Sequence, residues 1–128
     1  MIVDTSAILA ILFREPGFDT LVEKVLAARR AGVGAPTLAE ASLVLASRLG
    51  GVAEGLLSRF VQQFGLTVVA FGDPHWRAAA EAFLRFGKGR HPAALNFGDC
   101  LSYAVAKLAH RPLLFKGDDF AKTDLAAA

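Results

Sequence analysis

Short apolar runs alternate along this chain with longer segments whose apolar residues recur at helical spacing, and that alternation admits few folds. Met1–Asp4, Val33–Ala35, Leu66–Phe71 and Pro112–Phe115 read as strands. Leu66–Phe71 is the clearest, rich in β-branched and aromatic residues and bounded by Gly65 and Gly72. Thr5–Phe13 continues from the first strand as a helix and closes at Glu15-Pro16-Gly17; Phe18, Leu21, Val22, Val25 and Leu26 mark a second helix, ended by Gly32. Leu38, Ala41, Leu45 and Leu49 form an apolar stripe stopped by Gly50-Gly51, and Leu56, Leu57, Phe60 and Phe64 form another. Asp73-Pro74 opens a helix running to Phe86, with Asp73 as its N-cap. After a basic loop, Gly87–Pro92, the last helix carries Phe97, Leu101, Ala104, Val105 and Leu108 on one face. Strands separated by helices predict an α/β domain with a mainly parallel sheet. With no repeat, linker or boundary, the 128 residues make one domain, 1–128.

Composition narrows the chemistry. The apolar fraction of 54% exceeds the about 45–50% usual for soluble domains, which predicts apolar surface covered by a second copy or a protein partner. The longest apolar run, Ala7–Phe13, is far short of the roughly 20 residues of a membrane span, and the N-terminus lacks the pattern of a secretory signal, so a cytoplasmic protein is expected. A single cysteine, Cys100, excludes an internal disulfide and a cysteine-rich zinc site, and it is expected to pack in the core. His75, His91 and His110 lack metal-ligand spacing. Any metal must therefore be held by carboxylates, which favours a hard ion such as Mg2+ or Mn2+. The net charge of +2 is compatible with nucleic-acid binding.

Four acids recur at equivalent places in this plan. Each also has a local structural role. Asp4 can cap the helix beginning at Thr5, and Thr37-Leu38-Ala39-Glu40 has the form of a capping box. Asn96-Phe97-Gly98-Asp99 pairs a cap with a first-turn acid, and Asp118-Asp119 follows a strand, where turns favour Asp. Capping alone does not require all of them to be acidic at one edge. Asp4 and Asp118 follow strands, while Glu40 and Asp99 open helices, and in a parallel sheet those places gather along the strand C-termini. Two such charges about 5 Å apart repel by roughly 3 kcal/mol at an effective dielectric near 20. A divalent cation resolves that conflict and suits phosphodiester hydrolysis, because it activates water and leaves positions for phosphate oxygens. The hydroxyls of Thr5 and Ser6 are placed to support Asp4 or a metal-bound water.

These residues resemble a known family. The opening Met1-Ile2-Val3-Asp4-Thr5-Ser6-Ala7 looks like the start of a PIN-domain protein, as do Thr37–Glu40 and Asn96–Ala104, with Leu113–Phe120 as a fourth motif in the right order. The similarity spans the chain, and its length is that of the VapC toxins, the ribonuclease components of bacterial toxin–antitoxin pairs. The resemblance implies a three-layer α/β/α fold with a central parallel sheet, a homodimer, Mg2+- or Mn2+-dependent endonucleolytic cleavage of RNA, and inhibition by a small VapB-like antitoxin. It implies Asp4 and Asp99 as principal metal ligands, Glu40 as a ligand directly or through water, and Asp118 as the fourth acid. The fourth motif departs from the family pattern in placing Lys116 where Thr or Ser often stands. Of the Asp118-Asp119 doublet, Asp118 is chosen because it directly follows Gly117.

Lys88 and Arg90, with His91, lie in the loop before Asp99 and, with Lys116, are candidates for RNA phosphates; a solvated loop accounts for them equally well. Arg29 and Arg30 read as surface charges, and the Phe residues as core, with Trp76 and Tyr103 as exceptions. Two other functions fit an α/β chain of this size. One is a Mg2+-dependent phosphotransfer or phosphoacceptor domain using Asp4 or Asp73, although Asp4-Thr5-Ser6 lacks the Asp-x-Asp pair of aspartyl phosphatases. The other is a non-catalytic interaction module whose acids serve as caps.

Overall fold

The computed structural model describes residues 1–128. Strand β1 (Ile2–Val3) leads into helices α1 (Thr5–Leu12) and α2 (Phe18–Ala27). Strand β2 (Gly32–Gly34) is followed by α3 (Ala35–Leu49), a 3-10 turn (Gly50–Val52) and α4 (Ala53–Gln63). Strand β3 (Thr67–Val69) precedes α5 (Asp73–Phe86) and α6 (Phe97–Ala109), and β4 (Leu113–Leu114) precedes a last 3-10 turn, Phe120–Lys122.

All strand pairings are parallel, in the order β3-β2-β1-β4. The chain builds outward from β1 to β3, then returns to add β4 on the other side of β1. Strand order therefore reverses beside β1, the place where open parallel sheets bind ligands at the strand C-termini.

Alternation along the strands divides the core between two helical layers. Ile2 and Leu113 pack with residues of α5 and α6, including Phe86, Cys100, Tyr103 and Val105. Their neighbours Val3 and Leu114 point to the opposite face, among Ile8, Leu21, Leu45, Leu57 and Phe60 of α1 to α4. With both faces covered, β1 and β4 are uniformly apolar, as the short runs in the sequence suggest. The three-layer α/β/α arrangement follows.

Three local expectations change. The run Leu66–Phe71 contributes only Thr67–Val69 to the sheet and lies at its edge, with Thr67 and Val68 exposed. Thr37–Glu40 is not a capping box, because α3 starts earlier, at Ala35. Pro36 occupies its first turn, where a missing N–H costs nothing. The side chains of Thr37 and Glu40 bond to other helices instead. Asp73 lies inside α5 rather than capping it: Gly72 is the N-cap, its N–H donating to His75 Nδ1 at 3.0 Å. Asp73 instead accepts from Trp76 Nε1 at 2.9 Å and Arg77 Nε at 3.1 Å. No helix is long and apolar enough to cross a membrane.

Candidate active site

Asp4 directly follows β1, where its N–H donates to Leu114 O at 2.9 Å, and it caps α1. Only 3% of its surface is exposed. Its Oδ2 accepts from Ser6 N at 3.0 Å and from Ser6 Oγ at 2.7 Å. The same hydroxyl accepts from Lys116 N at 2.9 Å, so Ser6 ties the turn after β4 to the end of β1. That backbone bond anchors the turn whatever side chain stands at position 116.

Glu40 comes from the second turn of α3 and crosses to two other helices. Its Oε1 accepts from Thr5 Oγ1 at 2.5 Å. Its carboxylate also lies against the backbone of Gly98: a Cβ there would sit 1.9 Å from Oε2. One turn along each helix, Thr37 Oγ1 and Ser102 Oγ meet at 3.2 Å, both buried, and link α3 to α6. Gly34 allows the same approach, since a Cβ there would lie 2.9 Å from Val105 Cγ2.

Asp99 opens α6 as the sequence suggests. Asp99 N donates to Asn96 Oδ1 at 2.9 Å, and Asn96 N donates to Asp99 Oδ2 at 3.1 Å. Its carboxyl is pushed up to about 6, chiefly by burial. The backbone bond from Asn96 opposes that rise, and the charges of Asp4, Asp119 and Glu40 add to it. Capping and electrostatic crowding therefore coexist in one residue.

The last turn holds the acidic doublet Asp118-Asp119, both exposed. Gly117 adopts φ 101°, which glycine tolerates, and Asp118 points to solvent. The carboxylate of this turn that raises the Asp99 pKa is Asp119. Asp4, Glu40, Asp99 and Asp119 thus share one electrostatic neighbourhood at the C-terminal edge of β1, β2 and β4. No three acidic, histidine or cysteine side chains converge at metal-ligand geometry. Asp4, Glu40 and Asp99 each have one oxygen engaged by a hydroxyl or an amide.

The basic candidates are less closely built into the site. Lys116 Nζ pairs with Glu15 Oε1 at 2.9 Å. Lys88 and Arg90 are exposed, with the Arg90 guanidinium over the Phe83 ring at 5.6 Å. His91 packs edge-on against Phe86 and accepts from Ala93 N through Nδ1. Trp76 is exposed, whereas Tyr103 is buried and donates to Asp124 Oδ1 at 2.7 Å. Cys100 is buried, as expected. Sequence patterns did not single out Gly98 or Ser102, because neither shows its role except through contacts with α3.

The PIN domain family model matches residues 1–125. The chain belongs to the PIN-domain family. Within that family it is a VapC-type ribonuclease by its relatives. Ribonuclease VapC36 of Mycobacterium tuberculosis is 51% identical over 126 residues, covering 98% of this chain and 91% of that protein. Ribonuclease VapC of Mycolicibacterium smegmatis is 40% identical over 127 residues, covering 99% and 98%. Among solved structures, the PIN fold of this chain matches Mycobacterium tuberculosis VapC20, a Sarcin-Ricin loop cleaving toxin. The TM-score is 0.79 at 18% identity, over 99% of this chain and 97% of that one. It also matches VapBC2 from Rickettsia felis, bound to a DNA fragment from its promoter, with TM-score 0.77 at 12% identity over 99% and 96%. Those two likenesses establish the shared fold.

Proposed function

We propose that this PIN domain is the toxin of a toxin–antitoxin pair and hydrolyses RNA phosphodiester bonds with a divalent cation held by Asp4, Glu40, Asp99 and Asp119. The observation that carries the reading is the charge conflict at Asp99, where burial and the carboxylates of Asp4, Asp119 and Glu40 all oppose ionisation. A purely structural cap gains nothing from that crowding. The donor set fits a hard cation, since it offers carboxylate oxygens and no sulfur or imidazole. Mg2+, or Mn2+ in its place, would lower the pKa of an attacking water and offset charge on the scissile phosphate.

The chain's own residues do the rest. Ser6 and Thr5 hold one oxygen of Asp4 and of Glu40, which fixes their rotamers. The Asn96 amide orients Asp99. Tethering pre-organises acids that would otherwise splay apart. We assign the fourth acid to Asp119 rather than Asp118 on the strength of its charge reaching Asp99. Lys116, Lys88 and Arg90 remain candidates for phosphate contacts at the lip of the site.

A small antitoxin inhibitor, a homodimeric assembly and action in the cytoplasm belong to the same proposal. The partner is supported by the Rickettsia felis VapBC2 structure and by the toxin-antitoxin complex from Klebsiella pneumoniae, which matches with TM-score 0.73. Exposed apolar side chains such as Phe97, at 79% exposure, and Leu43, at 73%, support burial against another chain. The test is cleavage of RNA by purified protein with Mg2+ or Mn2+, stopped by EDTA. Asp99→Asn should abolish cleavage and keep the fold, because Asn preserves an acceptor for the Asn96 amide. Full activity in that variant would sink the site.

A further inference from the structure

The edge of the sheet opposite the carboxylates is basic and hollow. A cavity of about 780 Å3 opens where β1, β2 and β4 begin, between the end of α2 and the Arg111-Pro112 entry to β4. Lys24, Arg29, Arg30 and Arg111 line it, with no acidic side chain among the lining residues. Lys24 has a local explanation, since it lies in the last turn of α2 and donates to Ala128 O at 2.8 Å. The arginines have none. The ion pairs of this chain employ Arg77, Arg85, Lys107 and Lys116, and its guanidinium–ring contacts employ Arg48, Arg77, Arg85 and Arg90. Arg29, Arg30 and Arg111 take part in neither, are exposed, and gather from two separate connections around one concavity.

We propose that this pocket is an RNA exosite, in which Arg29, Arg30 and Arg111 bind backbone phosphate of the same polynucleotide whose scissile bond lies at the carboxylate edge. The inference rests on the ribonuclease reading. Its physical basis is that an acidic catalytic edge repels a polyanion, so basic surface beyond that edge adds affinity. Arginine forks match phosphate oxygens in pairs, and a cavity of this volume is large enough to take a nucleotide unit. The two ends of the sheet are joined along its outer strand β4. One strand of RNA can therefore engage both. Carboxylates of a protein partner are the competing occupant, and such a partner leaves RNA affinity independent of these arginines.

The test compares the full chain with the triple variant Arg29→Gln, Arg30→Gln, Arg111→Gln. Binding of a long single-stranded RNA is titrated in EDTA across a range of KCl, and cleavage of a dinucleotide is measured with Mg2+. A dinucleotide is too short to reach both edges. Each lost phosphate contact lowers the log–log salt slope by about 0.7 on a single strand, so the triple variant should lose roughly 1–2 in slope. Its affinity at low salt should fall about tenfold while dinucleotide cleavage stays unchanged. A wild-type slope in a variant that still cleaves overturns the exosite alone. If the unaltered chain neither binds nor cleaves RNA, the ribonuclease reading fails and the exosite with it. Circular dichroism confirms the fold of the variant, whose changed side chains are all exposed.

Discussion

The carboxylate of Glu40 rests on the bare α-carbon of Gly98, with no room for a methyl group between them. This contact brings the acid of α3 beside the opening turn of α6, and so beside Asp99. Close approach of the two helix starts, rather than any local motif, places Glu40 in the site.

Gly98→Ala tests that relationship. Alanine is ordinarily better than glycine inside a helix, by about 0.5–1 kcal/mol. Here its Cβ would fall 1.9 Å from Glu40 Oε2, so the acid must move. Cleavage should drop by about 10–100-fold, the range for losing a residue that orients a ligand, with melting temperature little changed. Wild-type kcat/KM in this variant would show that the position of Glu40 is immaterial.

The acidic doublet gives a paired comparison. Asp119→Asn should reduce cleavage by at least about 10-fold, whereas Asp118→Asn, whose charge is not among those acting on Asp99, should stay within a few-fold of wild type. The reverse ranking would return the fourth acid to Asp118.

Asp99 links pH to metal binding. Its folded pKa of about 6 lies above the ordinary 3.8, so the folded metal-free chain holds this proton more tightly than the unfolded chain. Ionised Asp99 therefore destabilises the metal-free fold fully above pH 6, and the penalty fades as pH falls from 6 towards 4. Mg2+ should raise the melting temperature more at pH 7.5 than at pH 5. Asp99→Asn should remove that difference. Thermal melts with and without Mg2+ decide it, and an equal increment at both pH values in the wild type would count against the proposed ligand.

Asp124 carries the opposite dependence. Burial pushes its carboxyl up, but Lys107 Nζ and Tyr103 OH, both at 2.7 Å, outweigh burial and hold it below the ordinary value. Its stabilisation is present above the unfolded pKa and is lost as pH falls through the lower folded one. Asp124→Asn should cost about 1.5 kcal/mol at pH 7, the low end for hydrogen bonds to a charged group, because its side chain is 32% exposed. The gap should narrow as pH falls through the lowered folded pKa. Urea titrations at neutral and at acid pH measure it, and a constant gap would mean that the charge is irrelevant.

Much of the architecture was legible because it is written in local periodicity. Helical stripes and apolar strands report which side of each element faces the core, so the α/β class and the parallel sheet followed from spacing alone. The Asn96–Asp99 cap was equally legible, since its bonds join residues three apart. The same logic misread Thr37–Glu40. Its pattern is that of a cap, yet Pro36 lets the helix begin earlier, and both side chains are then free to reach Ser102 and Thr5.

The ring of acids divides along the same line. Sequence alone determined that Asp4, Glu40 and Asp99 would come to the strand C-termini, because position in a β-then-α alternation dictates that edge. Tertiary structure decided which glycine lets Glu40 approach. It also decided that Arg29, Arg30 and Arg111, distant in the chain, would meet around one cavity. Such contacts depend on where two helices or loops cross. No residue signals that crossing to neighbours a few positions away.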